Sequence, residues 1–231
     1  MKFGVDNMKY VYPIMIMLSI ISNIIIVILL SKKFKYTKEE IVSMLLVDIV
    51  GIVMIGLIYT KVLYGYFGFS SLGGVLGGLL FLYIYSLMVK KDYKYMLILF
   101  MPSIPLMYAI GKIGCFVAGC CYGIPYDGMF HIVYESSNLV ISGMKLFPIQ
   151  IVETIVFLFI FIYVISKYIK NKMNIKLVMI EIIICGIAKL LLDFFRYDHV
   201  SKLFTSNQIM CLILAIISSI YLIRTRRKVK E

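Results

Sequence analysis

Seven long apolar runs, separated by short segments that carry much of the charge, constrain this chain more than any other feature. Each run has roughly the 20 residues that a helix needs to cross about 30 Å of hydrocarbon. Hydrophobic residues make up 62% of the 231 residues, compared with roughly 45–50% in soluble domains. The pattern predicts an all-α integral membrane protein, a single polytopic domain over residues 1–231, because lipid offers backbone polar groups no partners outside a helix. The predicted spans are 10–31, 41–63, 69–89, 95–121, 149–169, 176–196 and 204–224.

The formal charge of +12 is arranged by side of the membrane. Most of the 24 lysines and arginines follow the first, third, fifth and seventh spans. They include Lys32, Lys33, Lys90, Lys91, Lys170, Lys172, Arg226, Lys228 and Lys230. The positive-inside rule then predicts a cytoplasmic C-terminus and an outside N-terminus in a multi-pass membrane protein. Because these cations lie where lipid head groups are, the charge does not indicate a nucleic-acid partner.

This orientation predicts that the embedded polar residues lie at one depth. Lys112 follows the start of span four by roughly 17 residues, which at 1.5 Å per residue is about 25 Å, in the outer leaflet. The other residues expected at this level are Tyr12, the glycines of 73–78, Gln150, Glu153, Lys189, Asp193 and Arg196. Asp48 and Glu181 are expected deeper. The loop 122–148 joins spans four and five on the outer side and is a candidate lid or substrate-docking segment.

The end of span four has an unusual composition, with four glycines, three cysteines and Lys112 between Gly111 and Gly123. A lysine inside an apolar span is a candidate functional residue. If the helix continues, Lys112, Cys115, Gly119 and Gly123 share one narrow stripe. Such a stripe would let a ligand approach the backbone closely.

The cysteines of this segment allow several interpretations. Cys115, Cys120 and Cys121 do not have a standard zinc spacing, and both histidines lie in other loops. A disulfide among them would require the helix to break. We therefore predict neither a metal nor a cofactor. Cys185 and Cys211 are read as packing residues.

The polar residues of spans three, five and six also allow two interpretations. Lys189 and Arg196 could bind an anionic head group with Asp193 orienting one of them, or Lys189 and Asp193 could form a self-neutralising i,i+4 pair. Gln150 and Glu153 could serve the site or compensate the helix dipole. Gly73 and Gly74 could line a site or allow close helix packing. With Lys112, three cations lie near one carboxylate, which favours a phospholipid phosphate as ligand.

The order and spacing of these motifs resemble the bacterial prolipoprotein diacylglyceryl transferase family over nearly the whole chain. Tyr12 is similar to a tyrosine of the family's first segment, and Thr205-Ser-Asn-Gln208 resembles its Ser-Met-Gly-Gln. Leu72-Gly-Gly-Val-Leu-Gly77 resembles the family's His-Gly-Gly-Leu-Ile-Gly, and Phe147-Pro-Ile-Gln-Ile-Val-Glu153 resembles its His-Pro-Ser/Thr-Gln-Leu-Tyr-Glu. Gly111-Lys-Ile-Gly-Cys-Phe-Val-Ala-Gly119, together with Gly123, resembles the family signature Gly-Arg-Ile-Gly-Asn-Phe-Ile-Asn-Gly. Lys189-Leu-Leu-Leu-Asp-Phe-Phe-Arg196 resembles Arg-x-x-x-Glu-Phe-Phe-Arg.

The resemblance implies transfer of the diacylglyceryl group of phosphatidylglycerol to the lipobox cysteine thiol of a prolipoprotein, at its signal peptide. It also implies a multi-pass protein of the bacterial plasma membrane, with catalytic roles for Lys112, Glu153, Lys189, Asp193 and Arg196. From their expected common depth, we hypothesise that Lys112 and Lys189 bind the phosphate and that Arg196 gates or positions it. The implied substrate-binding residues are Tyr12, Gly73, Gly74, Cys115, Gly119, Gly123, Gln150 and Gln208.

The chain departs from the family pattern at several positions. Leu72 replaces a histidine, Cys115 an asparagine, Cys120 a glutamate and Cys185 a tyrosine, while Lys112 replaces the signature arginine. The general base is thereby left unidentified, with His131, Glu153 and Asp193 as candidates. The alternatives are a paralogue that uses another thiol acceptor or lipid, a non-catalytic phospholipid- or lipoprotein-binding protein on the same scaffold, and a small transporter.

Overall fold

A computed structural model describes residues 2–4, 10–65, 68–135, 141–170, 173–200 and 203–227. Its helices are α1 Val11–Ser31, α2 Lys38–Tyr64, α3 Ser71–Met88, α4 Tyr93–Phe100, α5 Ile104–Ala118, α6 Ile149–Ile169, α7 Ile175–Asp193 and α8 Ser206–Arg227. Of the basic residues used to predict orientation, Lys172, Lys228 and Lys230 lie outside the described residues, as does 136–140 of the predicted loop.

Six helical segments of the described chain are long and apolar enough to cross a membrane. They are α1, α2, α3, the continuous segment Tyr93–Ala118, α6 and α8. The predicted sixth span corresponds to α7, which has 19 residues. Its length suits a membrane span. Its composition is mixed because it carries the charged residues Lys176, Glu181, Lys189 and Asp193, and it is therefore not among the six segments.

The helices have the polarity of a protein that is surrounded by lipid. On α1, Ile14, Met17 and Ile25 are more than half exposed, whereas Ser19 and Asn23 are buried. Large exposed apolar side chains occur along the other spans as well. An apolar outer surface with polar groups inside is stable only where hydrocarbon is the solvent. The described fold is therefore that of a helical membrane protein.

Close helix packing accounts for part of the glycine-rich segment of α3. A Cβ on Gly77 would lie 2.1 Å from the carbonyl oxygen of Gly51, and one on Gly73 would lie 2.6 Å from Cβ of Tyr59. Both neighbours belong to α2, which packs along α3. These two glycines therefore allow the α2 and α3 backbones to touch.

The predicted fourth span differs from a single continuous helix. A 3₁₀ turn at Met101–Ser103 separates α4 from α5, and α5 ends at Ala118. Gly119 follows with a left-handed backbone, φ 65°, which is a common way to end a helix. Lys112 and Cys115 share α5, but the predicted stripe to Gly119 and Gly123 does not form as a helical stripe, because the chain turns away there.

A small sheet is an addition to the predicted all-α fold. Strand β2, Ile132–Glu135, pairs in parallel with β1, Lys2–Gly4, and antiparallel with β3, Lys145–Leu146. Two of these strands lie within the predicted loop 122–148. The loop side chains Ile132, Tyr134, Ile141 and Leu146 form a small buried cluster of their own. The loop is therefore a folded cover at one end of the bundle.

Candidate functional site

A cavity of about 670 Å³ lies inside the bundle, within the size range of small-molecule sites. Residues of α1, α2, α3, α5, α7 and α8 line it, together with the segments that follow α5 and α7. Of the predicted site residues, the lining includes Tyr12, Gly74, Lys112, Cys115, Gly119, Lys189 and Arg196. Side chains that the sequence spreads over most of the chain therefore meet at one cavity.

Glu153 on α6 joins two of the cavity's cations. Its Oε2 lies 2.7 Å from Lys112 Nζ on α5, and its Oε1 lies 2.8 Å from Lys189 Nζ on α7. The Glu153 side chain is 0% exposed. A carboxylate that is removed from water in this way is stable because both oxygens face a cation. Glu153 is thus a shared counter-ion rather than a residue that merely compensates the helix dipole.

Asp193 at the end of α7 organises the third cation. It contacts Lys189 at 2.8 Å and Arg196 at 3.1 Å through the same oxygen. Its other oxygen accepts a hydrogen bond from Thr205 Oγ1 at 2.6 Å. The i,i+4 pair of Lys189 and Asp193 that the spacing allowed is present, and it coexists with Lys189 lining the cavity. The two interpretations of this motif are therefore compatible.

Tyr108 is a site residue that the sequence reasoning missed. Its hydroxyl donates to Glu153 Oε1 at 2.7 Å, and its ring lies 5.2 Å from Lys112 Nζ and 5.8 Å from Lys189 Nζ. The ring face is electron-rich and attracts both cations. Tyr108 precedes Lys112 by one helical turn on α5, and this i,i+4 spacing was the signal that could have found it.

The three cations face the cavity, and the carboxylates of Glu153 and Asp193 lie behind them. Lys112, Lys189 and Arg196 line the cavity, whereas Glu153 and Asp193 are fully buried beyond its lining. These five groups carry a net formal charge of +1, and the exposed Asp198 lies 3.7 Å from Arg196. This part of the cavity wall presents N–H donors and positive charge, and the lining also includes the carboxyl groups of Asp48, Glu181 and Asp198.

Several buried polar atoms at the cavity have no hydrogen-bond partner within the described protein. Among the described residues that line it, Arg196 Nε, Asn207 Oδ1 and both carboxylate oxygens of Glu181 have no hydrogen-bond partner. Buried polar groups are rarely left unsatisfied in folded proteins. Asp48 also lines the cavity and accepts a hydrogen bond from Asn23 at 2.7 Å. Since Asp48 and Glu181 were expected deeper, the cavity extends beyond the predicted outer level.

Backbone pairing holds Arg196 over the end of α5. Gly123 forms an antiparallel bridge with Arg196, and Ile124 N–H donates to the Phe195 carbonyl at 3.0 Å. A Cβ on Gly123 would lie 2.3 Å from the Phe147 carbonyl oxygen. Gly123 therefore acts through close backbone approach, and its contribution is to position Arg196.

Two glutamines that were predicted to bind substrate form hydrogen bonds with other groups of the protein. Gln150 Nε2 donates to the Cys120 carbonyl at 2.9 Å, and Gln208 Oε1 accepts from the Thr205 backbone N–H at 3.0 Å. Among the described residues, neither glutamine belongs to the cavity lining. His131, a candidate base, is likewise outside that lining, and its Nδ1 lies 2.8 Å from the Gly128 carbonyl oxygen. Gln150 thus supports the segment that carries Cys120. Gln208 supports the segment that carries Thr205, the hydrogen-bond partner of Asp193.

The break after α5 brings three thiols together. The sulfur atoms of Cys115, Cys120 and Cys121 all lie within 4.8 Å of one another, and all three residues line the cavity. The Cys120 N–H donates to the Cys115 carbonyl at 3.0 Å, and Cys121 has a left-handed backbone, φ 53°. The Tyr134 hydroxyl donates to the Phe116 carbonyl nearby, and burial raises the pKa of that hydroxyl, so it stays protonated.

The fold and the site together define a class, a multi-pass helical membrane protein with a cation-lined cavity among its helices. Comparison with known proteins narrows this class. The chain belongs to the prolipoprotein diacylglyceryl transferase family, whose sequence profile matches residues 7–224. The family indicated by the sequence motifs is thereby confirmed.

Individual relatives carry the same family name. The chain is 30% identical over 218 residues to a phosphatidylglycerol–prolipoprotein diacylglyceryl transferase of Clostridium tetani. The matched region covers 86% of this chain and 86% of the relative. It is 31% identical over 150 residues to phosphatidylglycerol–prolipoprotein diacylglyceryl transferase 2 of Clostridium perfringens, covering 64% of this chain and 59% of the relative. A transferase of the same name from Dehalococcoides mccartyi is 28% identical over 168 residues, 71% of this chain and 64% of the relative.

Proposed function

We propose that this protein transfers the diacylglyceryl group of phosphatidylglycerol to the cysteine thiol of a prolipoprotein signal peptide. The observation that carries the proposal is the set of three cations, Lys112, Lys189 and Arg196, on the wall of one cavity among apolar helices. A phosphodiester inside a bilayer needs such charges, since hydrocarbon cannot solvate it. The names of the relatives supply the reaction.

The topology that suits this reaction has seven crossings, with the N-terminus outside and the C-terminus in the cytoplasm of a bacterial cell. Parallel pairing of β1 with β2 supports it, because it joins the N-terminal residues to the cover after α5. The bridge between Gly123 and Arg196 supports a crossing by α7, because α7 must return to the side on which α5 ends. On the opposite side, Lys33 donates to the carbonyls of Tyr168 and Ile169, and Lys91 pairs with Glu40. These lysines suit a cytoplasmic face.

In the proposed reaction, Lys112 and Lys189 bind the phosphate and Arg196 positions it through its unpaired Nε. The acceptor thiol loses its proton to water, and its sulfur forms a bond to the glyceryl carbon while the carbon–oxygen bond to phosphate breaks. The electron pair of that bond leaves with glycerol phosphate. Charge develops on the departing phosphate, so fixed cations stabilise the transition state more than the ground state. Glu153 and Asp193 hold those cations in place from behind, and we assign them as positioning residues.

The proposal is tested by rescue and by product analysis. Expressed in cells depleted of their own transferase, the protein should restore lipidation of a reporter lipoprotein. In a purified assay with phosphatidylglycerol vesicles and a lipobox peptide, glycerol phosphate and the thioether-linked peptide should appear in equal amounts. Correct membrane insertion without either product would overturn the proposal.

A second candidate is a non-catalytic protein that binds phospholipid or lipoprotein on the same scaffold. The departures at Leu72, Cys115 and Cys120 favour it, because they remove polar groups that the family pattern contains. The same purified assay separates the candidates. Saturable retention of phosphatidylglycerol with no release of glycerol phosphate would identify the binder.

A further inference from the structure

The three thiols at the end of α5 form a group that the proposed phosphate chemistry does not use. Cys115 lies on the last turn of α5, and Cys120 and Cys121 follow its glycine cap. No metal was predicted from the sequence because Cys115, Cys120 and Cys121 do not have a standard zinc spacing. The turn at Gly119 nevertheless brings all three sulfurs within 4.8 Å of one another.

The sulfur geometry is close to what a zinc ion requires. With Zn–S bonds of about 2.3 Å, tetrahedral ligands lie about 3.8 Å apart, so small side-chain rotations would close the cluster on an ion. Among the described residues, the group of candidate ligands contains these three cysteines and no fourth side chain. Three protein ligands with an open fourth position are typical of catalytic zinc sites, whereas structural sites are closed by four.

The open position would face the cavity. All three cysteines line the cavity, as do Lys112 and Arg196, so an ion held by the thiolates would lie on the wall that the proposed phosphate also meets. Three thiolates and one Zn²⁺ carry a net charge of −1, and the nearby cations compensate it. Gln150, bonded to the Cys120 carbonyl, fixes the turn that carries two of the ligands.

We propose that Cys115, Cys120 and Cys121 bind a zinc ion whose fourth ligand is the thiol of the acceptor peptide. This inference rests on the proposed function and supplies what the departures from the family pattern removed, a means of activating the acceptor. A thiol loses its proton when it binds zinc, and the thiolate is the nucleophile. The proton passes to water. The bound sulfur then forms its bond to the glyceryl carbon, the carbon–oxygen bond to phosphate breaks, and zinc returns to three protein ligands.

The test uses Co²⁺ as a spectroscopic probe, with the full-length protein in reduced form in nanodiscs. We expect one Co²⁺ per chain, with sulfur-to-cobalt charge-transfer bands and the visible bands of tetrahedral cobalt, and displacement by Zn²⁺. The Cys115→Ser, Cys120→Ser and Cys121→Ser variants should each lose the tetrahedral spectrum. Cys185→Ser and Cys211→Ser are matched controls, because these cysteines lie on α7 and α8 and do not belong to the cluster. They should keep it.

Substrate activation is tested by adding the acceptor. A lipobox peptide with its cysteine should shift the visible bands of the cobalt protein, and the same peptide with serine in that place should not. Cobalt binding without a shift by the cysteine peptide would overturn the activation role. No sulfur-ligated cobalt in a protein that still releases glycerol phosphate would overturn the metal site and leave the proposed function intact. Cobalt binding and a peptide shift without any transfer would support the site and contradict the proposed function.

A measurement on the unaltered chain guards against variants that fail to fold. Zn²⁺ should slow alkylation of Cys115, Cys120 and Cys121 at least tenfold, as mapped by mass spectrometry, and leave the rates at Cys185 and Cys211 unchanged. Equal protection at all five cysteines, or at none, would contradict a specific site.

Discussion

Individual residues of the cavity divide into groups that face the ligand and groups that hold them. Lys112, Lys189 and Arg196 face the cavity, while Glu153 and Asp193 are buried behind them. A cation that contacts a buried carboxylate keeps its charge and its place before the ligand arrives. Such preorganisation accelerates the reaction in many enzymes, because the site does not have to reorganise as charge develops.

Replacement of Lys112 tests the proposed phosphate contact. The Lys112→Met variant should lower kcat by about 10²–10³, the cost of losing one preorganised donor to developing charge. Lys112→Arg should retain most of the activity, since it keeps the charge and resembles the arginine of the family pattern. Rates of glycerol phosphate release measure both. Lys145→Met is the matched control, since Lys145 is half exposed and pairs with exposed Asp127. Equal losses in all three variants would contradict the assignment.

Replacement of Glu153 tests its role as shared counter-ion. Glu153→Gln should lower stability by about 3–5 kcal/mol, because Lys112 loses its buried ion pair and Lys189 keeps only Asp193. Unfolding in detergent, followed by circular dichroism, measures the change. The Lys112→Met/Glu153→Gln double variant should be more stable than the sum of the single effects predicts, since each removes the other's unpaired charge. Strictly additive losses would show that the pair is not coupled.

At the scale of elements, interruptions of regular structure build the site. The 3₁₀ turn at Met101–Ser103 separates α4 from α5, and the cap at Gly119 ends α5 between Cys115 and the pair Cys120 and Cys121. The segment after the cap then pairs with Arg196, which follows α7. A straight helix would have placed the same residues along one stripe and apart from Arg196.

The contact between α2 and α3 gives a prediction at this scale. Gly77→Ala should lower the unfolding temperature, because its Cβ would lie 2.1 Å from the Gly51 carbonyl oxygen and overpacking of this kind costs about 1–3 kcal/mol. Gly111→Ala on α5 is the matched control. Its Cβ would meet nothing within 4 Å, so stability should be unchanged or slightly higher. A similar loss in both variants would mean that helix flexibility, and not packing, decides the outcome.

At the scale of the whole molecule, the topology decides which substrates reach the cavity. The proposed orientation places the cover 122–148 outside and the loop after α1 inside. A Met129→Cys variant in the cover should react with a membrane-impermeant maleimide in intact spheroplasts, since Met129 is 88% exposed. A Lys35→Cys variant after α1 should react only after permeabilisation. The unaltered chain provides the background from its five cysteines. The reverse labelling pattern would overturn the orientation.

The sequence by itself determined the membrane class, six of the spanning segments, the family and the spacing of Lys189, Asp193 and Arg196. These are local properties, since length, apolar content and residues one turn apart on a helix can be read along the chain. The fourth span is present at Tyr93–Ala118, but the expectation that its helix continues to residue 121 was wrong. A glycine can either pack within a helix or end it, and the sequence does not distinguish the two.

Only the tertiary structure decided which charges are partners. Glu153 contacts Lys189, 36 residues away, and accepts a hydrogen bond from Tyr108, 45 residues away. The periodicity of a single helix does not predict such contacts. It also decided that the cations face the cavity while Glu153 and Asp193 lie behind them, because that depends on the rotation of α5, α6 and α7 about their axes. The meeting of three thiols beyond Gly119 is of the same kind. Local spacing determines which side chains share one helix face, and packing between distant segments determines which residues those side chains contact.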